Sequence, residues 1–244
     1  MYEENMVDRE TGVKTFSYTD EALDELETAL SHERLSTYLD AAGGDRERAI
    51  RLHAWNTAVS AAFYGPLQGL EVALRNAMHR RLAERYGPAW YDHPGAGLDR
   101  GAVGRIAGAR SELARDGRGD DPARIVAMLS FGFWVSLVGP GGRTEAGHKA
   151  NYEMTLWRPA LRGAFAHRAT LTRRQAHHPL DALRILRNRV AHHEPIFARD
   201  LTADHERVLE VAGWISPAIR TWIEHHSRAP AVIEAARDAG DVRF

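Results

Sequence analysis

The chain has 244 residues, of which 44% are hydrophobic and 27% are charged, so it has an ordinary globular composition and enough length for a sizeable core. It contains no cysteine, which excludes disulfides, thiolate metal sites, iron–sulfur clusters and a cysteine nucleophile. The 32 basic and 33 acidic residues leave a net charge of −1, so any site for a polyanion must be a local patch.

Apolar residues recur at helical spacing along most of the sequence, and alternating strand patterns are missing, so the predicted fold class is all-α. The first helix is predicted to follow Thr19, whose side chain can cap it, with Asp20 and Glu21 in its first turn. A helix break is expected at Gly65-Pro66, and a kink at Pro217. Further helices are predicted at about residues 33–42, 45–64, 66–86, 100–116, 122–137, 158–167, 179–193, 203–226 and 230–238.

These elements predict one helical domain over residues 31–226, with an N-terminal helical arm over 1–30 and a tail helix within 227–244. The first nine residues are polar and acidic, which is unlike a secretory signal. The longest apolar stretch, 126–138, is shorter than the ~20 residues that a bilayer span needs. We therefore expect a soluble, cytoplasmic protein that does not enter a membrane.

Polar side chains converge near the end of the helix predicted at 179–193. Arg184, Asn188 and His192 are spaced four residues apart and line one face, and Arg187 can swing toward that face. A glutamate–proline pair is expected to end the helix just past His192, placing this residue in the last turn, where backbone carbonyls favour an imidazolium. The opposite face is anchored in a core by Leu183, Leu186 and Val190.

This combination of a cation, an amide and an imidazole suits chemistry at a phosphodiester. An arginine can hold the phosphate and its developing charge, while a histidine moves a proton near neutral pH. The same spacing is also met by a surface arginine and a capping histidine. Both interpretations stay open on the spacing alone.

Four stretches of the sequence carry a resemblance to a known family. They read LEVALRNA at 70–77, LSFGFWVSL at 129–137, LWRPAL at 156–161 and RNRVAHHEPIF at 187–197. Together they resemble the Abi-like proteins, the abortive-infection family of AbiD and AbiF type within the HEPN superfamily, over about residues 31–222. The resemblance implies an all-helical fold and the Arg-x4–6-His motif of metal-independent ribonucleases, here Arg187 and His192 with Asn188 at the polar position.

A second polar group lies on the helix predicted at 66–86. Glu71, Arg75 and His79 follow one another at intervals of four residues, with Asn76 beside the arginine. One interpretation is a solvated salt-bridge stripe, since Glu before Arg at this spacing stabilises helices. The other comes from the resemblance at Glu71, Arg75 and Asn76, which implies a helix that packs beside the motif helix and orients it or contacts RNA.

The thirteen histidines do not suggest a metal site. The pairs His177-His178, His192-His193 and His225-His226 are neighbours, which point about 100° apart on a helix. No two histidines sit three or four residues apart, so a helical HExxH-like chelate is not expected. We therefore predict neither a metal nor another cofactor.

Basic residues near the motif would suit an RNA partner, because phosphate contacts supply affinity for a polynucleotide, but they would also suit a solvated helix face. The resemblance favours RNA. The basic residues are Arg173, Arg174, Arg184, Arg187 and Arg189, and His193 is a further candidate for RNA contact. The resemblance implies that two motifs meet across a homodimer. The aromatic side chains of the apolar helix at 126–138 are expected in the core or in the dimer interface, and this helix and the motif helix are the candidate dimer surfaces. A small structured RNA or a protein antitoxin is a further expected partner.

The predicted function is a metal-independent endoribonuclease that acts as an abortive-infection or toxin effector against phage. His192 would act as general base on the ribose 2′-hydroxyl or as general acid on the leaving 5′-oxygen, and Arg187 would stabilise the pentacoordinate phosphate. Asn188 would position the phosphate or the imidazole, and the products would be a 2′,3′-cyclic phosphate and a 5′-hydroxyl. The alternatives are a non-cleaving RNA-binding or regulatory protein of the same fold, and a helical interaction module.

Overall fold

The computed structural model describes residues 16–235 and 243–244, which form an all-helical fold without a β-strand in these ranges. The predicted fold class is therefore confirmed. The helices are α1 (Asp20–Leu30), α2 (His32–Ala41), α3 (Arg46–Tyr86), α4 (Arg100–Arg115), α5 (Pro122–Met128), α6 (Phe131–Val138), α7 (Arg173–Ala191), α8 (Leu201–Ile215), α9 (Pro217–His226) and α10 (Ala229–Glu234). No helix in the described ranges is long and apolar enough to cross a membrane.

The described residues form two compact units. The first unit contains the described residues up to Tyr64, the segment Arg189–Thr202 and the described residues from Arg228 onward. The second unit contains Gly65–Asn188 and Ala203–Ser227. The predicted arm and tail include residues 1–15 and 236–242, which lie outside the described residues, so their limits stay predictions.

The first unit is built on α1, α2 and the first half of α3. Thr19 caps α1 as predicted, because its Oγ1 accepts a hydrogen bond of 3.2 Å from the amide of Ala22. Ser31 separates α1 from α2 at a positive φ of 71° and caps α2 through the amide of Arg34. The core of this unit includes Leu35, Tyr38, Trp55, Val59, Phe63 and Ile196, each 0–1% exposed.

The second unit has an aromatic core around α6. The rings of Phe133 and Trp134 meet edge to face at 5.3 Å, and Trp90 lies 5.9 Å from Trp134. All the large apolar side chains of α6 are buried within this unit. The expectation that the 126–138 helix offers an apolar dimer surface is therefore wrong, because the intra-unit core already covers it.

The break predicted at Gly65-Pro66 is wrong, since α3 continues through both residues. A proline inside a helix removes one hydrogen bond and crowds the preceding turn, at a cost of about 3 kcal/mol. Phe63 and Leu67, on either side of Gly65-Pro66, are 0% and 4% exposed. Burying such side chains stabilises the helix by roughly 2 kcal/mol each, which offsets the proline.

Two other predicted helices are also divided or replaced. The helix predicted at 122–137 is two helices, because Leu129 is extended (φ −76°, ψ 121°) and Ser130 is the N-cap residue that precedes α6. The prediction of a helix at 158–167 is wrong. A π-helical turn (Glu153–Trp157) and a 3-10 turn (Leu161–Phe165) replace it, since Ala160 leaves the helical region at φ −143°.

The C-terminal helices differ from prediction at their prolines. The helix predicted at 203–226 with a kink is two helices separated by an extended Ser216, with Pro217 opening α9. The motif helix α7 begins at Arg173, ahead of the predicted residue 179, and holds Pro179 inside it. It also ends at Ala191, so His192 and His193 lie beyond the helix and the expected place of His192 in its last turn is wrong.

Candidate functional site

Helix α7 presents one apolar and one polar side within the second unit. Leu180, Leu183 and Leu186 are fully buried, so they fix the rotation of the helix about its axis. Polar residues at intervals of four, three and four then share another side, because these steps follow the 3.6-residue turn. These residues are His177, Asp181, Arg184 and Asn188.

The polar side of α7 forms one wall of a cleft of about 470 Å³, which we call the α7 cleft. Its other walls come from α4, from α6 and from the segment that follows α6. The polar lining residues are Asp99, Arg105, Ser130, Ser136, His177, Asp181, Arg184, Arg187 and Asn188. The cleft therefore holds three guanidinium groups, one imidazole and one amide, and three of the predicted site residues are among them.

Arg187 is held by a carboxylate from α3. Its Nε lies 3.4 Å from Oε2 of Glu71, and both side chains are partly exposed, at 36% and 22%. Because solvent screens the two charges, such an ion pair contributes only modestly to the stability of the fold. Its geometric effect is larger, because a bond at Nε orients the guanidinium and leaves both Nη groups available.

Arg184 is oriented in the same way. Its Nε donates to Oδ1 of Asp181 at 2.7 Å. Its aliphatic stem lies over α6, where a Cβ built on Gly132 would be 3.6 Å from Cδ of Arg184. Asp181 and α6 together hold this guanidinium at the edge of the cleft.

Arg105 enters the cleft from α4, and its Nη1 donates to Oγ of Ser136 at 2.9 Å. Among the described residues, no carboxylate lies within ion-pairing distance of Arg105. Asp99 lies nearby, but its carboxylate accepts from the amides of Ala102 and Gly142. Burial raises the pKa of Asp99, while these amide bonds and the hydroxyl of Tyr152 outweigh it and lower the pKa overall.

A Schellman motif ends α7 within the first unit. The amide of His193 donates to the carbonyl of Val190 at 3.3 Å, and the amide of Glu194 donates to that of Arg189 at 2.8 Å. His193 takes a positive φ of 57°, which glycine usually adopts at this position. His192 precedes it and is exposed.

Two arginine side chains hydrogen-bond to backbone carbonyls around this helix end. The carbonyl of His193 accepts from Nη1 of Arg34 at 2.6 Å, and Nη1 of Arg189 donates to the carbonyl of Pro195 at 3.1 Å. The ring of His193 lines a cavity of about 710 Å³ in the first unit, together with Arg34 and His53. Burial, followed by the nearby charge of Arg34, lowers the pKa of His53.

A buried amide fixes the segment that follows the motif histidines. Asn56 is 4% exposed, and its Oδ1 accepts from the amides of Ile196 and Phe197 at 2.8 and 3.1 Å. Asn56 is not among the residues predicted from the sequence. A single asparagine between Trp55 and Thr57 on a long helix belongs to no pattern that would distinguish it.

The second predicted polar group does not act as one stripe. Glu71 binds Arg187, whereas Nε of Arg75 donates to Oδ1 of Asn76 at 3.3 Å. His79 accepts from Nε1 of the buried Trp90 at 3.1 Å, and burial lowers the pKa of His79. Asn76 lines a separate, mostly apolar groove of about 1070 Å³, so it does not share the α7 cleft.

The structure brings some predicted residues together and leaves others apart. Arg184, Arg187 and Asn188 meet in the α7 cleft, and Glu71 contacts one of them. Arg189, His192 and His193 belong to the first unit. Arg105 and His177 also line the cleft, although neither was predicted as a site residue. The spacing of His177 from Asp181 and Arg184 would have indicated it if Pro179 had not been taken as the helix start.

No group of three or more His, Asp or Glu side chains in the described part of the chain is arranged to hold a metal ion. Comparison of the chain with models of known families, with curated proteins and with solved structures finds no match in any of the three.

Proposed function

We propose that this protein is a metal-independent endoribonuclease of the HEPN type, acting as an abortive-infection or toxin effector like the Abi-like proteins it resembles. The observation that carries the proposal is the position of Arg187 and Asn188. The sequence motif selects both residues, and both line a polar cleft with two further arginines and an imidazole. Clustered guanidinium groups are the side chains best suited to bind phosphate.

Arg187 has the role of binding the scissile phosphate. Its Nε is engaged by Glu71, so the paired Nη groups remain for a bidentate contact with two phosphate oxygens. As negative charge grows on the pentacoordinate phosphate, a fixed guanidinium stabilises that charge without further reorganisation. Asn188 can donate from its amide to the same phosphate.

His192 has the role of moving a proton in this proposal. The assignment comes from the motif spacing and from the exposure of the residue, which leaves its ring accessible to a substrate. Attack by the 2′-oxygen on phosphorus expels the 5′-oxygen and leaves a 2′,3′-cyclic phosphate and a 5′-hydroxyl. The 2′-hydroxyl is the internal nucleophile, so the proposed reaction uses no bound metal.

The proposed partners follow from the same reaction. RNA is the substrate, and a small structured RNA or a protein antitoxin would restrain the enzyme in a cytoplasmic setting. A homodimer would place the motifs of two chains in one site. Since the apolar side chains of α6 are buried, such a dimer must use another surface.

The test is cleavage of total RNA by the purified protein in the presence of a chelator, with the ends of the products mapped chemically. We expect cyclic-phosphate ends from the wild type and none from His192→Ala. His225→Ala is a matched control, because His225 is also an exposed histidine near a helix end. It should cleave like the wild type.

Three other results would contradict the proposal in different ways. Cleavage by a folded His192→Ala protein would reject His192, and His193 would be examined next. Absence of cleavage together with a specific co-purifying RNA would favour the RNA-binding alternative. Absence of both would favour a helical interaction module.

The proposed dimer has a separate test. Wild-type protein is mixed with an excess of His192→Ala subunits and the cleavage rate is measured after exchange. If two motifs form one site, activity falls faster than the fraction of wild-type subunits. Strict proportionality would show that each chain works alone.

A further inference from the structure

One side of α6 carries two small residues within the second unit. Gly132 and Ser136 are four residues apart, so they lie one above the other on the same side of the helix. Both line the α7 cleft. Because neither residue fills this side of α6, longer side chains from α4 and α7 have room to lie across it.

Two arginines from different helices lie on this side of α6. A Cβ added to Gly132 would be 3.6 Å from Cδ of Arg184, so the aliphatic stem of this arginine crosses α6 there. One turn further along α6, Oγ of Ser136 accepts a hydrogen bond of 2.9 Å from Nη1 of Arg105. We call Arg105 and Arg184 the α6 arginine pair, because α6 brings their side chains to one wall of the cleft.

The carboxylates that bind Arg184 and Arg187 give the two guanidinium groups different positions. Nε of Arg184 donates to Asp181, which lies one turn nearer the start of α7. Nε of Arg187 lies 3.4 Å from Oε2 of Glu71, which belongs to α3. Arg184 is therefore held with Arg105 against α6, whereas Arg187 is held against α3.

The α6 arginine pair keeps donors for an anion. Asp181 engages Nε of Arg184 and leaves its two Nη groups. Arg105 is bound by a hydroxyl, which does not neutralise its charge. The oxygens of Asp99, the other carboxylate that lines the cleft, accept from two backbone amides. A phosphodiester, with two charged oxygens, matches guanidinium donors of this kind.

We propose that the α6 arginine pair binds a second phosphate of the RNA, on a nucleotide next to the scissile phosphate held by Arg187. This inference rests on the ribonuclease function proposed above and adds a subsite that fixes the register of the strand. Arg184 and Arg187 are three residues apart, or about 4.5 Å along the helix axis, so neighbouring phosphates of one strand can reach both. Phosphate contacts position a strand without reading its bases, so the subsite is independent of sequence.

The first experiment measures binding without cleavage. A fluorescent 2′-O-methyl oligonucleotide, which cannot react, is titrated with protein at several salt concentrations. The variants are Arg105→Gln, Arg184→Gln and the double variant. The matched control is Arg115→Gln, because Arg115 is an exposed arginine of α4 that does not line the cleft. Melting curves confirm that each variant is folded.

We expect each single variant of the pair to bind about tenfold more weakly than the wild type, since it loses charge-assisted hydrogen bonds to a phosphate. In the double variant the slope of log K against log salt should be smaller in magnitude by about 0.7, the contribution of one phosphate contact on a single strand. Arg115→Gln should bind like the wild type. Wild-type binding and an unchanged slope in the double variant would overturn the inference.

The second experiment locates the phosphate. In a series of these oligonucleotides one linkage at a time is a neutral methylphosphonate. For the wild type, one linkage beside the cleavage site should weaken binding about tenfold when it is neutral. The double variant should be insensitive to that same linkage, because the arginines that recognise its charge are gone. Equal sensitivity of the wild type and the double variant at every linkage would contradict the inference.

Steady-state cleavage of the all-ribose oligonucleotide in chelator separates this inference from the proposed function. The double variant should have a raised KM and a kcat near that of the wild type, because the pair binds a phosphate that does not react. A lowered kcat with an unchanged KM would overturn the subsite. If the wild type binds RNA through the pair but does not cleave it, the ribonuclease function fails and the phosphate site remains.

Discussion

Replacing Asn56 with alanine should destabilise the first unit strongly. The side-chain oxygen of Asn56 is the acceptor for the amides of Ile196 and Phe197, which directly follow the motif histidines and their Glu-Pro pair. Ile196 and Phe197 are 0% and 9% exposed, so the packed interior separates these amides from solvent. Alanine leaves both amides without their acceptor.

The magnitude follows from the number of donors that lose a partner. An unsatisfied buried donor costs about 1–3 kcal/mol. Asn56 also lines the 710 Å³ cavity, from which water can enter and bind the amides in place of the lost oxygen, so the lower half of that range applies to each. We therefore expect a loss of about 2–4 kcal/mol in the free energy of unfolding, a large share of the ~5–15 kcal/mol typical of a folded protein.

The assay is chemical denaturation followed by circular dichroism. The matched control is Ser60→Ala, because Ser60 lines the same cavity one helical turn from Asn56 and has no hydrogen bond to a described residue through its side chain. This control should unfold within about 0.5 kcal/mol of the wild type. If Asn56→Ala falls within that margin as well, the reasoning from unsatisfied amides is refuted.

Three further predictions concern the site and its supports. Arg187→Lys keeps the charge but loses the planar fork, so cleavage should fall at least tenfold while RNA binding measured by fluorescence anisotropy changes little. Since burial lowers the pKa of His79 from its ordinary value of 6.5, the unfolded state binds more protons below that pH, and stability should fall as the pH drops through 6.5. His79→Gln should weaken this dependence in melting curves recorded from pH 5 to 8. His193→Gly should raise the free energy of unfolding by about 0.5–1 kcal/mol, because glycine adopts the positive φ without strain.

Each of these predictions has an outcome that contradicts it. Normal cleavage by Arg187→Lys would show that Arg187 contributes its positive charge and not a bidentate contact with the phosphate. An unchanged pH dependence in His79→Gln would mean that His53 or His205, whose pKa values are also lowered by burial, carries the effect. A destabilised His193→Gly protein would show that the imidazole ring contributes more than the backbone strain costs.

The fold class and several helix starts could be predicted because they depend on local signals. Thr19 caps α1 through its own side chain, and the spacing of Leu183 and Leu186 marks the buried side of α7. The helix boundaries predicted at two prolines are wrong. Pro66 and Pro179 lie inside helices, since tertiary burial there outweighs the local cost that a sequence pattern records.

The candidate site was predictable only where its residues share one helix. Arg184, Arg187 and Asn188 follow from the spacing on α7, and the structure places them in one cleft. Arg105 comes from another helix with an ordinary surface pattern. His177 lay before the predicted start of its helix, so its position on the polar side of α7 became evident only from the structure.

The proposed cleavage of RNA through the motif that begins at Arg187 requires a ribose 2′-hydroxyl. Its most direct test is chelator-treated wild-type protein with a defined oligoribonucleotide and with the same oligomer carrying 2′-O-methyl groups. We expect cyclic-phosphate and 5′-hydroxyl ends from the first oligomer only, and none from Arg187→Ala or His192→Ala. Cleavage of the 2′-O-methyl oligomer, or 5′-phosphate ends from either one, would contradict it.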